Sequence, residues 1–269
     1  MSKFKDYHST SRYLIEIAGG EVSEDMFVEK PGVALVKDGS DINLPLVNQL
    51  VEELNIGSEQ PLENQLAELA ARITYSAFPK TKPTSSESTA YHKNLANLGH
   101  LSPYKIWDKE NVVFLLGGVT VEGTLEIVAN KGAKIARQTS SRTISMENPF
   151  YRVQGDEAFR DVQRSVLRES LLARKRILDR YDLTNFRTED KKALPEFLNM
   201  TLPSSKTVNI FAARTLENWI EIFGKRFDAV GVEIELREIL SQIRNILAEK
   251  YPDLIQSEAE YYAKNVLPK

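Results

Sequence analysis

Residues 136–153, ARQTSSRTISMENPFYRV, bring together the side chains that proteins use to bind anions. The arginines of this segment are Arg137, Arg142 and Arg152, and its serines include Ser140, Ser141 and Ser145. An arginine guanidinium binds phosphate or carboxylate through two parallel hydrogen bonds, a geometry that lysine cannot reproduce. Serine hydroxyls add further donors. The segment therefore predicts an anion pocket, and a solvated turn with scattered charges is the alternative interpretation.

The composition is that of a globular protein without a general attraction to polyanions. Of 269 residues, 42% are hydrophobic and 27% are charged, and the 35 basic and 38 acidic residues give a net charge of −3. Because the charges nearly balance, binding to nucleic acid or to an anionic membrane is not expected. No apolar run reaches membrane-spanning length, so a membrane partner is not expected either.

The chain contains no cysteine, which excludes disulfides, thiolate metal sites and a cysteine nucleophile. This composition fits a reducing compartment and predicts a cytoplasmic location. The histidines are His8, His92 and His100, and their spacing does not suggest a metal site. There is no phosphate-binding P-loop, no GxSxG nucleophile elbow and no GxGxxG fingerprint.

The apolar periodicity predicts an α+β protein that is mostly helical, with one small sheet. Helices are predicted over residues 45–54, 62–75, 89–98, 123–138, 156–181, 214–227 and 232–251. Strands are predicted over residues 33–36 and 112–121 and at the end of 201–213, with Gly117 and Gly118 marking a bulge or a close backbone approach. Residues 1–60 are interpreted as an irregular or appended N-terminal extension, and residues 61–269 as the main domain.

The predicted helix 156–181 combines an apolar face with many basic residues. Phe159, Val162 and Val166 lie near one face, and arginines and lysines cover much of the remainder. A nucleic-acid surface is one interpretation of the basic residues. Interleaved acidic residues favour a solvated, ion-paired face instead. Nucleic acid is therefore an unlikely partner, and the apolar stripe of helix 232–251 is expected to be core or a subunit interface.

Several segments, in order, resemble the flavin-dependent thymidylate synthase (ThyX) family. AARITYS (70–76) resembles AAR(V/I)SY, and GHLSPYKI (99–106) resembles GHETPFEH. The arginine-rich segment resembles the region of the signature RHRxxSxNExSxRY, and ARTLENWIEIF (213–223) resembles NARSLxxFLxLR. The resemblance spans about residues 65–255. It implies a ThyX-like α+β fold with a small mixed or antiparallel sheet, and a homotetramer whose sites are shared between subunits.

The resemblance also implies roles for individual residues. His100 and Ser102 match the His and Thr of GHETP, which help to hold FAD, and Arg214 matches the arginine of NAR near the flavin. Arg142 matches the last arginine of RHR and is assigned to the cofactor. The residues assigned to a dUMP-like nucleotide are Gln138, Ser145 and Arg152.

The signature is nevertheless degenerate. Ser140 and Ser141 replace the first arginine and the histidine of RHR, and Glu147–Asn148 reverses the NE pair. Two functions therefore remain open. The chain is either a divergent enzyme that uses FAD and NADPH to transfer a one-carbon unit from methylenetetrahydrofolate to C5 of dUMP or a related nucleotide, or a non-catalytic paralogue that binds nucleotides or serves a structural role.

Overall fold

The computed structural model describes residues 7–23, 26–57, 59–75, 77–100, 102–129, 132–137, 149–180, 203–227 and 233–257. The helices are α1 (Tyr7–Ile17), α2 (Leu44–Glu53), α3 (Leu62–Tyr75), α4 (Ser85–Asn97), α5 (Ser102–Lys105), α6 (Val121–Ala129), α7 (Glu157–Leu178), α8 (Leu216–Ile222) and α9 (Ile234–Lys250). A π-helical turn, Phe223–Phe227, continues α8, and residues 252–257 are helical. The strands are β1 (Glu21–Val22), β2 (Phe27–Lys30), β3 (Gly32–Asp38), β4 (Asp41–Ile42), β5 (Asn111–Thr120), β6 (Lys134–Arg137), β7 (Tyr151–Arg152) and β8 (Thr207–Thr215).

A five-stranded antiparallel sheet forms the centre of the fold, with strand order β4-β3-β5-β8-β6. Every residue of β5 is buried, because helices cover both faces of the sheet. Leu14, Leu50 and Leu69, from α1, α2 and α3, pack on one face. Trp219 and Leu240, from α8 and α9, pack on the other. The predicted α+β class is confirmed.

The glycine pair in β5 makes the predicted bulge. The pairing of β5 with β8 shifts register between Leu116 and Val119. Gly118 has a φ of 72°, a conformation that favours glycine, and its amide donates to Asn209 Oδ1 at 3.0 Å. A Cβ on Gly117 would lie 2.7 Å from the Cα of Ile15, so α1 approaches the strand closely here.

A second sheet of three short strands, β1-β2-β7, was not anticipated. β2 pairs antiparallel with β1 and parallel with β7. Phe27 and Tyr151 are buried in a small apolar cluster where this sheet meets α7. With two residues each, β1 and β7 are too short to show the alternation by which a strand is recognised in sequence.

The described part of residues 1–60 is regular rather than irregular. β3 pairs with β5 from Gly32 to Asp38, which extends the predicted short strand 33–36. α1 and α2 contribute to the core on one face of the central sheet. The division of the chain at residue 60 stays a prediction.

Two predicted helix boundaries were wrong. Helix 123–138 ends at Ala129, and Lys134–Arg137 forms the edge strand β6 paired with β8. α4 begins at Ser85 rather than at residue 89, because Thr84 and Glu87 form a capping box that starts the helix earlier.

Helix α7 has an apolar face that no described part of the chain covers. Phe159 is 56% exposed, Val162 60% and Val166 57%, whereas Leu167 is buried. The ion-paired basic face that the sequence favoured is present on the same helix: Arg164 contacts three carboxylates, those of Glu29, Glu157 and Asp161. None of the helices described above has the length and apolar character needed to cross a membrane.

Candidate functional site

Three of the predicted site residues, Gln138, Arg142 and Ser145, lie outside the described residues. Ser102 is the first residue of α5, and its side chain is also outside the description. The structure therefore places three predicted side chains: His100, Arg152 and Arg214.

Arg214 lies near the end of β8 and is almost completely buried, with 1% of its surface exposed. Its Nη2 donates to the Ile127 carbonyl oxygen near the end of α6. The guanidinium also lies 5.4 Å from the centre of the Trp219 ring. Burial lowers the pKa of Arg214 to about 10, which still leaves the side chain charged at neutral pH. Arg214 therefore supplies buried positive charge and supports α6, rather than presenting donors to solvent.

His100 is exposed and follows Gly99, which ends α4 with a φ of 71°. Its ring packs 5.0 Å from the ring of Tyr75, the last residue of α3. The imidazole nitrogens are thus accessible to a ligand, while the ring is held from one side. α5, which begins two residues later, packs against the edge strand β6.

Arg152 is buried in β7, with 6% of its surface exposed. Its Nη1 donates to the carbonyl oxygens of Val28 at 3.0 Å, Val153 at 2.7 Å and Glu29. Its Nη2 lies 2.7 Å from Glu238 Oε2 on α9. Only its Nε lacks a hydrogen-bond partner in the part of the chain described. Most of the donors of Arg152 therefore join β2, β7 and α9.

The two predicted arginines do not meet within one chain. The Arg152 amide donates to the Ser205 carbonyl at 2.8 Å, just before β8 begins, whereas Arg214 lies near the end of that strand. Seven strand steps from Thr207 to Arg214 span roughly 23 Å at about 3.3 Å per residue. Within one chain the two side chains therefore belong to separate regions.

A cavity of about 600 Å³ lies on one side of Arg152, between α7, the start of α9 and the end of β5. Its walls contain Thr120, Glu122, Arg152, Gln154, Val162, Gln163, Val166, Leu167, Ser204, Ser205, Glu233, Ile234 and Glu235. The charged residues among them are Glu122, Glu233, Glu235 and Arg152, and Arg152 is already paired with Glu238. This cavity is therefore acidic and does not favour a phosphate.

Glu235 is the buried carboxyl group of this acidic cavity. Its Oε1 accepts from the Thr120 amide at 2.9 Å, and its Oε2 accepts from the Thr120 hydroxyl. Thr120 in turn caps α6 by accepting from the Gly123 amide at 2.9 Å. Burial raises the pKa of Glu235, and its hydrogen bonds to Thr120 only partly oppose this effect.

A second cavity, of about 590 Å³, lies on the other side of Arg152. Its charged lining residues are Glu29, Arg152, Arg160, Arg237 and Glu238. Arg160 pairs with Glu29 at 3.4 Å and Arg152 with Glu238 at 2.7 Å, so the arginines exceed the carboxylates by one positive charge, and this side is the more favourable one for an anion. Arg160 and Arg237 were not singled out as site residues by sequence, because they belong to helices whose basic residues are mostly solvated or ion-paired.

A buried polar cluster between α3, α4 and α5 was also missed. Fully buried Glu68 pairs with Arg72 at 2.8 Å, and His92 lies between Glu68 and Tyr104. The helical spacing of Glu68 and Arg72 was the only signal in the sequence. Within the described ranges, no group of three His, Cys, Asp or Glu side chains could hold a metal ion.

Comparisons with known proteins identify relatives of this chain. The model of the family "Thymidylate synthase complementing protein" matches residues 57–253, which is most of the 269 residues. No curated protein matches the chain. Among solved structures, a UMP/dUMP methylase PolB from Streptomyces cacaoi bound with 5-Br UMP has 14% sequence identity and a TM-score of 0.48, over 89% of this chain and 98% of that one. The same methylase bound with 5-Br dUMP has 14% identity and a TM-score of 0.48, over 87% and 97%.

Proposed function

Because this chain belongs to the thymidylate synthase complementing protein family, the flavin-dependent ThyX family that its motifs resemble, we propose that it is a divergent nucleotide C5-methyltransferase. Its substrate is dUMP or a related nucleotide, its carbon donor is methylenetetrahydrofolate, and its reductant is NADPH acting through FAD. When bound, reduced FAD supplies the electrons for the transfer. The absence of cysteine agrees with this chemistry, since no enzyme thiol is needed.

The observation that carries the proposal is the arginine-rich cavity beside Arg152. Arg152, Arg160 and Arg237 line it, and guanidinium groups recognise phosphate oxygens. Arg152 is held by carbonyl groups and Glu238, so its role is to keep positive charge at the base of the cavity. Arg237 is exposed and lies on the first turn of α9. We assign the nucleotide phosphate to this side of Arg152, with Gln138 and Ser145 as the further predicted contacts.

Among the residues assigned to the flavin, His100 has surroundings that support this ligand. The exposed imidazole of His100 can donate to or stack on a bound group, and a Cβ on Gly99 would meet nothing within 4 Å, so the approach is open. Arg214 stays charged, which favours the negative diphosphate, and its guanidinium lies beside Trp219, on the face of the central sheet opposite to α3. His100 and Ser102 would contact FAD, Arg142 would pair with a phosphate, and Arg214, as the resemblance implies, would contribute positive charge to the flavin site.

An oligomer is part of the proposal. The regions of Arg152 and Arg214 lie at opposite ends of β8, and we propose that a second copy of the chain brings the nucleotide and flavin residues together. The exposed apolar residues Phe159, Val162 and Val166 provide the surface that such a copy would cover. We propose a homo-oligomer, with the tetramer that the family resemblance implies as its form, and a cytoplasmic location.

The first experiment is the visible absorption spectrum of the purified protein with FAD and dUMP, followed by turnover with methylenetetrahydrofolate and NADPH. Retention of a flavin band through gel filtration, together with formation of dTMP, is the expected result.

Arg237→Gln should weaken dUMP binding at least tenfold, the equivalent of about 1.4 kcal/mol. Arg176→Gln is the control, because Arg176 is exposed on α7 and lines neither cavity. Equal affinities of the two variants would refute the assignment of the phosphate.

A non-catalytic nucleotide-binding or structural paralogue is the second candidate function. Ser140 and Ser141 favour it, because they stand where the family signature has an arginine and a histidine. Under this alternative the protein binds dUMP through Arg237 without turnover. Formation of dTMP at a steady rate would eliminate this alternative.

A further inference from the structure

A buried carboxylate organises the region next to His100. Glu68, on α3, has 0% exposure, and Arg72 donates to its Oε1 from Nε at 3.0 Å and from Nη2 at 2.8 Å. Gln60 Nε2 donates to its Oε2 at 3.1 Å. Both carboxylate oxygens therefore have a donor, as a buried charge requires. The same Arg72 donates to the Ala77 carbonyl at 2.7 Å, which holds the chain after α3.

His92 connects this carboxylate to α5. Its Nε2 lies 4.0 Å from Glu68 Oε2, and its Nδ1 lies 2.6 Å from the Tyr104 hydroxyl. Burial lowers the pKa of His92, so the ring is neutral at pH 7. A neutral ring carries one N–H, and the carboxylate favours its placement on Nε2. Nδ1 is then the acceptor, and Tyr104 donates to it.

The His92–Tyr104 hydrogen bond spans the connection between α4 and α5. His92 precedes the end of α4, Tyr104 lies within α5, and His100 is in the connection itself. The His100 ring also packs 5.0 Å from the ring of Tyr75, the last residue of α3. The hydrogen bond and the ring contact therefore hold the connection from both helices and from α3.

We propose that His92 is a positioning residue, which fixes the α4–α5 connection through Tyr104 and so presents His100 to its ligand. The identification of that ligand as the flavin rests on the proposed function. The effect of His92 on the α4–α5 connection does not depend on the proposed function. His92 does not contact the ligand in this proposal, and its effect passes through Tyr104.

The cluster offers a matched control. Tyr91 lies next to His92 on α4, with its ring 3.8 Å from the Arg72 guanidinium. Its buried hydroxyl has no hydrogen-bond partner among the residues that the structure describes. Tyr91→Phe and Tyr104→Phe each remove one phenolic oxygen, but only the second breaks the proposed connection. The resembled segment GHETPFEH has Phe at the position of Tyr104, so Tyr104→Phe should fold.

The experiment compares Tyr104→Phe, Tyr91→Phe, His92→Leu and His92→Asn in the full chain. Amide hydrogen exchange of residues 98–105 and the dissociation constant of FAD are measured for each. Tyr104→Phe and His92→Leu should speed exchange in this segment and weaken FAD binding by about tenfold each, the equivalent of about 1.4 kcal/mol in affinity. His92→Asn should restore both, because the asparagine oxygen can stand where Nδ1 accepts. Tyr91→Phe should match the wild type.

The ring 15N resonances of His92 add a signature that general destabilisation would not produce. They should change in Tyr104→Phe and stay unchanged in Tyr91→Phe, since only the first variant loses the donor to Nδ1. Equal exchange and equal resonances in the two variants would overturn the proposal. If the wild type binds no FAD, the proposed function fails, and the exchange rates and His92 resonances still decide whether His92 positions the connection. If His92→Leu does not fold, the two Tyr→Phe variants decide.

Discussion

Replacing Arg152 tests whether this side chain acts mainly as a structural support. Arg152→Ala removes the donors to three carbonyl oxygens, those of Val28, Glu29 and Val153, and the ion pair with Glu238. Arg152 is 6% exposed, so its removal leaves these carbonyl oxygens with at most the water that enters from the adjoining cavities. We therefore expect a large loss of folding stability in addition to any loss of nucleotide affinity.

The magnitude follows from these contacts. Removing one partner of a buried ion pair costs about 3–5 kcal/mol, and separate values for the three hydrogen bonds are not added to it, because contributions that share one side chain are not additive. The Glu238 side chain is 29% exposed, so water partly compensates its loss of a partner. We expect Arg152→Ala to lower the free energy of unfolding by about 3–4 kcal/mol. This is a substantial fraction of the ordinary total of about 5–15 kcal/mol.

Urea denaturation followed by circular dichroism measures this loss, and Glu238→Gln is the matched control. Glutamine keeps an acceptor for Arg152 Nη2 and removes only the charge of a partly exposed carboxylate. Glu238→Gln should therefore cost about 1 kcal/mol or less. If Arg152→Ala unfolds within 1 kcal/mol of the wild type at an unchanged denaturant slope, the structural role is refuted, and the guanidinium is free to serve the substrate.

Three further predictions concern the rest of the fold. Burial raises the pKa of Glu235, so the folded state holds this proton more tightly than the unfolded state, and stability should fall as pH rises from about 4.3 through the raised value. Urea midpoints between pH 4 and 8 should show this fall in the wild type and a flatter profile in Glu235→Gln; a parallel profile would contradict it. Gly99→Ala should lower the free energy of unfolding by about 1 kcal/mol, because of its positive φ alone. Gly118→Ala should lower it by about 1–3 kcal/mol more, because the added Cβ would lie 2.9 Å from a Val28 methyl. Equal melting temperatures of the two variants would argue against this. Val166→Glu should reduce self-association in sedimentation measurements while leaving the circular dichroism spectrum unchanged, since Val166 is exposed on α7; an unaltered assembly would exclude this face from the interface.

Short-range patterns were sufficient for several elements. Helix 62–75 was predicted with the bounds that α3 has, because its apolar residues recur at helical spacing. The glycine pair of β5 indicated a bulge for a similar reason, since few other residues tolerate the conformation of Gly118. The order of the family motifs was likewise readable along the chain, and the family match confirms it.

Long-range pairing decided the elements that were missed. The segment 134–137 is too short to show a strand pattern. It forms β6 because it pairs with the edge of β8, which lies more than seventy positions further along the chain. The same holds for β7, whose two residues pair with β2 near the start of the chain. The residues next to a strand in the sequence do not reveal strand partners that are this distant along the chain.

The candidate site also combines features that the sequence indicates with features that only the fold determines. Residue types in the sequence indicated that Arg152 and Arg214 could bind an anion, but their burial and partners come from segments distant along the chain. Glu238 lies 86 positions from Arg152, and Ile127 lies 87 positions from Arg214. The chemistry of a side chain is local, whereas its solvation, charge partners and neighbours depend on which distant elements pack around it. Sequence therefore determined the candidates and the family, whereas the tertiary structure decided that carbonyl oxygens and Glu238 hold Arg152 and that the Ile127 carbonyl holds Arg214.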